Sequence, residues 1–236
     1  MTVTLLVSPE MLEKSDFEID GDQYRHLVRA RRLEVGDSVR VVDGEGRARW
    51  SQLTTIGASR ARLKVGDPAP ANESGRAVQL VVATLRRERA SWLVEKATEI
   101  GVNAIRFLNT ERAPREFGQA FLDRLTRVAS AATEQCGRAR VPTVGGTHPW
   151  HDVQRLLEGS VGKWLLDPGA AAFTPVGGGG ALTIMVGPEG GWTDQEVEEL
   201  RSLGCQCLGL GSRVLRIETA AVVGATFALL PDRTSV

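Results

Sequence analysis

Two glycine-bearing segments near the C-terminus hold the residues best suited to build a binding pocket. They are Val186-Gly187-Pro188-Glu189-Gly190-Gly191-Trp192 and Leu208-Gly209-Leu210-Gly211-Ser212-Arg213-Val214-Leu215-Arg216-Ile217-Glu218-Thr219-Ala220. Glycines permit positive φ and close backbone approach, and a helix opening after Thr193 aims free N–H groups at the first loop, as an anion site requires. Glu189 inside that loop, with no lysine beside it, argues against a polyphosphate and for a neutral or cationic ligand. In the second segment, apolar side chains beside exposed amides suit the faces and edge of a purine. Taken alone, either loop is also a plain strand-to-helix turn. Upstream, Thr110-Glu111-Arg112 follows a strand and Glu134-Gln135-Cys136-Gly137-Arg138 closes a long helix, each setting an arginine beside a carboxylate. Singly, such motifs read as structural ion pairs as readily as catalytic groups.

The elements that must carry these residues change character along the chain. The first third is β-rich: a strand over 2–7, a short helix capped at Ser8-Pro9, a helical stretch over 22–30, then strands over 38–42, 48–56 and 60–65 with a turn at Asp43-Gly44. This pattern predicts a small barrel. Residues 66–75 are rich in turn formers and are the expected linker. Beyond them strands alternate with helices: strands over 78–84, 104–108, 162–166, 182–186 and 205–210, and helices over 119–136 and 215–230. A further helix puts Ala90, Leu93, Val94, Ala97 and Ile100 on one face before Gly101, and Thr193-Asp194-Gln195-Glu196 reads as a capping box. Alternation of this kind predicts a mainly parallel sheet covered on both faces, with ligands at the carboxyl ends of its strands. Gly177 to Gly180 reads as a loop tip.

With 236 residues, 42% hydrophobic and 25% charged, the chain fits one large or two modest globular domains. No run of apolar residues is long enough to span a membrane, and no signal-peptide layout opens the chain, so a cytoplasmic location is expected. Cys136, Cys205 and Cys207 lack metal-ligand or redox spacing; no metal is expected, and His148 and His151 have no third ligand candidate nearby. The 29 basic and 29 acidic residues cancel overall but not locally. Residues 86–140 hold 11 Lys/Arg against 7 Asp/Glu, a net of +4, while 141–236 hold 6 against 10, a net of −4. The middle of the chain is therefore the basic part.

Taken together, Lys96-Ala97-Thr98-Glu99-Ile100-Gly101-Val102, Thr110-Glu111-Arg112, Glu134-Gln135-Cys136-Gly137-Arg138, Gly187-Pro188-Glu189-Gly190-Gly191 and Leu215-Arg216-Ile217-Glu218-Thr219-Ala220-Ala221 resemble the RsmE family. These are bacterial 16S ribosomal RNA methyltransferases of the SPOUT superfamily that act on N3 of one uridine. The resemblance spans the chain, including His26-Leu27-Val28-Arg29. It implies an α/β fold: a PUA-like β-barrel RNA-binding domain over 1–70 and a SPOUT methyltransferase domain, a trefoil-knotted parallel sheet, over 76–236. It further implies a homodimer, S-adenosyl-L-methionine as cofactor, and 16S ribosomal RNA within the 30S subunit as partner. The cofactor is then expected against Leu165, Leu166, Val186, Gly187, Glu189, Gly190, Leu208, Leu210, Gly211, Leu215, Ile217 and Ala220. Departures from the usual family pattern are Cys136 in place of serine, Trp192 in place of phenylalanine, Ile217 in place of threonine, and Ala113-Pro114-Arg115-Glu116 in place of Ser-Val followed by a basic residue.

Methylating N3 requires removing an imide proton while O2 and O4 gain charge, so an arginine pair, loop amides and a carboxylate are the groups needed. Arg112 and Arg138 are expected to orient and stabilise, with Glu134, Glu189 and Glu218 competing as base or cofactor-positioning group and Arg216 beside them. RNA contacts are expected from Arg25, Arg29, Arg31, Arg32, Arg86, Arg87 and Arg89. Two other readings fit the same sequence: a non-catalytic knotted assembly factor, or a related knotted methyltransferase acting on another RNA.

Overall fold

The computed structural model describes residues 3–113, 115–171 and 180–230; Gly177 to Gly179 of the expected loop tip lie outside them. The chain divides into two compact units, one of residues up to Glu73 with Ser130–Val141, the other of Ser74–Ala129 with Pro142 onward. The end of the long helix and its following turn, expected within the second domain, count with the first unit.

The first unit contains β1 (Thr4–Leu6), α1 (Pro9–Leu12), β2 (Asp16–Ile19), α2 (Gly21–Tyr24), which continues as a π-helical turn over Arg25–Ala30, β3 (Ser38–Val42), β4 (Ala48–Ile56) and β5 (Ala61–Pro68). The strands form one sheet in the order β1-β3-β4-β5-β2, antiparallel except for the β1–β3 pair. Alternation along β3 sends Val39 and Val41 into a core with Leu5, Phe17, Ile19, Leu27, Leu53 and Leu63, while Val42 packs with Ala48 and Ala139 on the other face. Asp43 organises the β3–β4 turn: its Oδ1 accepts the backbone N–H groups of Glu45, Gly46 and Arg47, and its Oδ2 accepts from Arg47 Nε at 2.6 Å. Two expectations shift. Gly66-Asp67-Pro68, expected in the linker, belongs to β5, and the helix expected over 22–30 is a short α-helix followed by a π turn.

The second unit contains β6 (Val78–Ala83), α3 (Arg87–Ile100), β7 (Ala104–Leu108), the start of α4 (Gln119–Cys136), β8 (Thr143–His148), a short 3₁₀ turn (Trp150–Asp152) leading into α5 (Val153–Leu157), β9 (Gly162–Leu166), β10 (Leu182–Val186), α6 (Asp194–Ser202), β11 (Gln206–Leu208) and α7 (Ile217–Leu229). Its six strands are all parallel, in the order β11-β9-β10-β6-β7-β8. Their near-continuous apolar runs, Val-Gln-Leu-Val-Val-Ala and Leu-Thr-Ile-Met-Val, follow from burial on both faces. One face packs Val81, Leu165 and Met185 against Val153, Leu156, Leu157 and Leu200. The other is covered by α7, which lies on β6 and β10 and beside α3. Gly101 closes α3 at φ 107°, and Thr193 closes the capping box of α6 as its sequence predicts.

Candidate functional site

The carboxyl ends of β9, β10 and β11 open onto a cavity of about 570 Å³ lined by the two glycine segments. Its residues include Leu166 at the end of β9 and Asp167 after it, Val186 at the end of β10 and Gly187 to Trp192 after it, Leu208 at the end of β11 with Leu210, Gly211 and Arg213 to Ile217 beyond, and Arg89 and Arg112. Close backbone approach explains two of the glycines. A Cβ on Gly187 would stand 2.7 Å from the Trp192 indole nitrogen, and one on Gly209 would stand 2.5 Å from the carbonyl oxygen of Ala170. Trp192 thus lies over Gly187, donates its Nε1–H to the Leu166 carbonyl at 3.3 Å, and stacks obliquely on Trp150 at 6.2 Å between ring centroids.

Of the expected cofactor residues, Leu166, Val186, Gly187, Glu189, Gly190, Leu208, Leu210, Gly211, Leu215, Ile217 and Ala220 line this cavity. Leu165 does not: strand alternation turns its side chain into the opposite core, where it is fully buried beside Val81 and Met185.

Among the catalytic candidates, Arg112, Glu189 and Arg216 line the cavity. Arg112 Nη1 donates to the carbonyls of Gly190 at 2.6 Å and Trp192 at 3.3 Å, clamping the first glycine loop. The turn carrying Arg112 is itself held by Glu196, whose Oε1 accepts from Glu111 N at 2.9 Å while its Oε2 accepts from Thr193 N at 2.8 Å. Glu218, in the first turn of α7, is buried; its Oε1 lies 3.7 Å from Arg89 Nε, and its Oε2 has no hydrogen-bond partner among the described residues. Arg89 also pairs with Glu189. Expected on the RNA face, Arg89 instead lines the cavity and ties α3 to both carboxylates.

Glu134 and Arg138 belong to the first unit and do not line the cavity. Glu134 Oε1 accepts the backbone N–H of Leu6 at 2.7 Å, and the buried Arg138 guanidinium pairs with Glu73 at 2.7 Å. Glu73 Oε1 further accepts from the amides of Ala139 and Arg140. Both motif residues thus have partners within the first unit. Arg25, Arg29, Arg31 and Arg32 are all exposed around the π turn, with Arg25 paired to Asp22 and Arg32 at a φ of 55°, unusual for a residue with a Cβ. Arg86 and Arg87 are exposed at the start of α3, Arg87 stacking on Phe121 at 5.2 Å from the ring centroid.

Sequence reasoning missed Arg89 and Glu196 as builders of the site, and placed Trp192 in the pocket segment without its contact over Gly187. Of the two missed, only Glu196 carried a local signal, its place in the capping box. Among the described residues no group of three or more His, Cys, Asp or Glu side chains is placed to hold a metal ion.

Residues 72–228, which hold the parallel sheet and the cavity, match the model of the RNA methyltransferase domain, and 19–67 match that of the RNA methyltransferase PUA domain, so the chain is an RNA methyltransferase by class. The ribosomal RNA small subunit methyltransferase E of Synechocystis sp. is 30% identical over 94% of this chain and 76% of its own length; that of Bacillus subtilis is 26% identical over 91% and 90%. The crystal structure of the Neisseria gonorrhoeae ribosomal RNA small subunit methyltransferase E bound to S-adenosyl methionine superposes with a TM-score of 0.83, at 25% identity over 95% of each chain. The chain belongs to the ribosomal RNA small subunit methyltransferase E family.

Proposed function

We propose that this protein is an S-adenosyl-L-methionine-dependent methyltransferase acting on N3 of one uridine in 16S ribosomal RNA, within the assembled 30S subunit. The observation that carries the reading is the cavity itself: eleven of the twelve residues expected at the cofactor converge there. Apolar side chains of Leu166, Leu208, Leu210 and Ile217 beside loop backbone fit an adenosyl group, which needs flat apolar faces and a few amide partners. The relative from Neisseria gonorrhoeae, bound to that cofactor, supports the same choice.

The bound cofactor would supply an electrophilic methyl group on a sulfonium. This chain's own residues then have three tasks. Leu208, Leu210 and the Gly187–Trp192 loop hold and orient the adenosyl group. Arg112 fixes that loop, with its Nη1 on two of the loop's carbonyls. A carboxylate would take the N3 proton, leaving the N3 electron pair free to accept a methyl group whose former bonding pair stays with the donor's sulfur, and the charge spread over O2 and O4 would be met by loop amides and arginine. Glu189, on the loop, and Glu218, with one unpaired buried oxygen, are the candidates in the second unit.

The protein is further read as a cytoplasmic homodimer whose second unit carries a trefoil knot. Its α7 is apolar on nearly every side, with Phe227 and, just past the helix end, Leu230 exposed, which suits a subunit contact. Arg25, Arg29, Arg31, Arg32, Arg86 and Arg87 are proposed to meet RNA phosphates. Mass spectrometry of ribosomal RNA from cells with and without the gene tests the reading: loss of one N3-methyluridine in 16S RNA is expected. An unchanged modification pattern, or no S-adenosylmethionine binding in titration, would overturn it in favour of an assembly factor.

A further inference from the structure

Four arginines line the cavity, and two of them are already committed: Arg89 to Glu189 and Glu218, Arg112 to the carbonyls of Gly190 and Trp192. The other two, Arg213 and Arg216, are exposed, and their side chains make no hydrogen bond or ion pair among the described residues, the Arg216 carbonyl alone accepting from Ala220 N at 2.8 Å. Between them stands Val214, 83% exposed, the most exposed large hydrophobic side chain among the described residues. An isolated cation on a surface is ordinary. Two uncommitted cations flanking a bare apolar side chain, on the lip of the cavity and in a loop held between β11 and α7, are not accounted for by the fold.

We infer that residues 213–216 form a docking rim for the RNA strand, with Arg213 and Arg216 on phosphates flanking the target nucleotide and Val214 against a sugar or base face. This inference rests on the reading of the chain as an RNA methyltransferase. Three residues apart, the two Cα atoms are separated by at most about 10 Å, a span suited to neighbouring phosphates on one strand. Phosphate recognition gives position without sequence, and an apolar face beside it tolerates any base. Of the acidic groups that share the lining, Glu189 is paired with Arg89, and neither Asp167 nor Asp194 forms an ion pair with Arg213 or Arg216 among the described residues. By this account Arg216, first considered among the catalytic groups, binds substrate and does not take part in proton transfer.

The test uses the full chain and the variants Arg213→Ala, Arg216→Ala, the double variant and Val214→Ser. Affinity for isolated small ribosomal subunits and for a uridine-containing single-stranded RNA is measured across a salt series, alongside S-adenosylmethionine affinity, steady-state kinetics and sedimentation. Each arginine variant should lower the slope of log K against log salt by about 0.7, the double variant by about 1.4. The KM for RNA should rise while kcat at saturating RNA and cofactor affinity are retained. Val214→Ser should weaken RNA binding without altering the slope. Unchanged RNA affinity in the double variant overturns the inference. So does a loss of cofactor affinity, which would make the arginines a carboxylate site for the small ligand, or a loss of self-association, which would make the rim a contact between copies. Wild-type protein that neither binds nor methylates RNA would instead overturn the underlying reading.

Discussion

The Arg138 guanidinium meets the Glu73 carboxylate through Nη2 at 2.7 Å and Nε at 3.2 Å, with the arginine side chain 4% exposed. A buried pair of this kind is costly to break from one side, because the remaining charge is left without its partner. Arg138→Ala should therefore reduce unfolding free energy by about 3–5 kcal/mol, read from the urea midpoint. Glu73→Gln paired with Arg138→Met should recover a large part of it. A variant of wild-type stability with turnover reduced more than about tenfold would return Arg138 to the catalytic group.

Arg112 is predicted to act through the loop it clamps. With both carbonyl contacts removed, Gly190 and Trp192 lose the group that fixes them at the cavity wall. Arg112→Ala should raise the dissociation constant for S-adenosylmethionine about tenfold, near 1.4 kcal/mol, and lower turnover by at least as much. Calorimetry separates the effects. Unaltered cofactor affinity with lowered kcat would place Arg112 at the reacting base instead.

Helices and parallel strands were largely legible because their signals are local. Ala90, Leu93, Val94 and Ala97 mark the buried face of α3, Thr193 and Glu196 mark the start of α6, and apolar runs mark β6, β9 and β10. Strand β8 escaped notice because Gly145 and Gly146 weaken its pattern; Gly145 is needed where the Arg106 side chain crosses, 2.5 Å from a would-be Cβ. The cavity was legible from the two glycine loops. Arg89 was not, since its partners lie 100 and 129 residues along the chain, and the motif around Arg138 gave no sign of Glu73, 65 residues away. Local adjacency of an arginine and a glutamate shows charge but not which neighbour answers it.

Cys205 packs in the core of the second unit, and burial pushes its thiol up to about 11. Only the thiolate reacts, so at pH 8 Cys205 should be alkylated far more slowly than Cys136, which is half-buried. Mass-resolved iodoacetamide labelling of the native protein reads both sites together. Equal rates under native conditions would show that the β11 edge opens locally, and the assigned packing would then fail.

Acid should loosen the first unit through Asp43. Burial opposes its charge, but the hydrogen bond from the Arg47 side chain and those from the backbone of Arg47 and Glu45 outweigh it, holding the carboxyl below its ordinary value. The sign follows directly: the folded form binds the proton less readily than the unfolded chain, so the stabilisation is complete above the unfolded value near ~3.9 and fades as pH falls through the folded one. Asp43→Asn keeps the shape but gives up the charge and one acceptor. It should cost about 1.5–3 kcal/mol at neutral pH, the range for hydrogen bonds to a charged group, and the gap to wild type should shrink below about pH 4. Urea titrations of both proteins at several pH values provide the check. A constant gap across that range would mean that Asp43 supports the β3–β4 turn by geometry alone, with its charge contributing nothing.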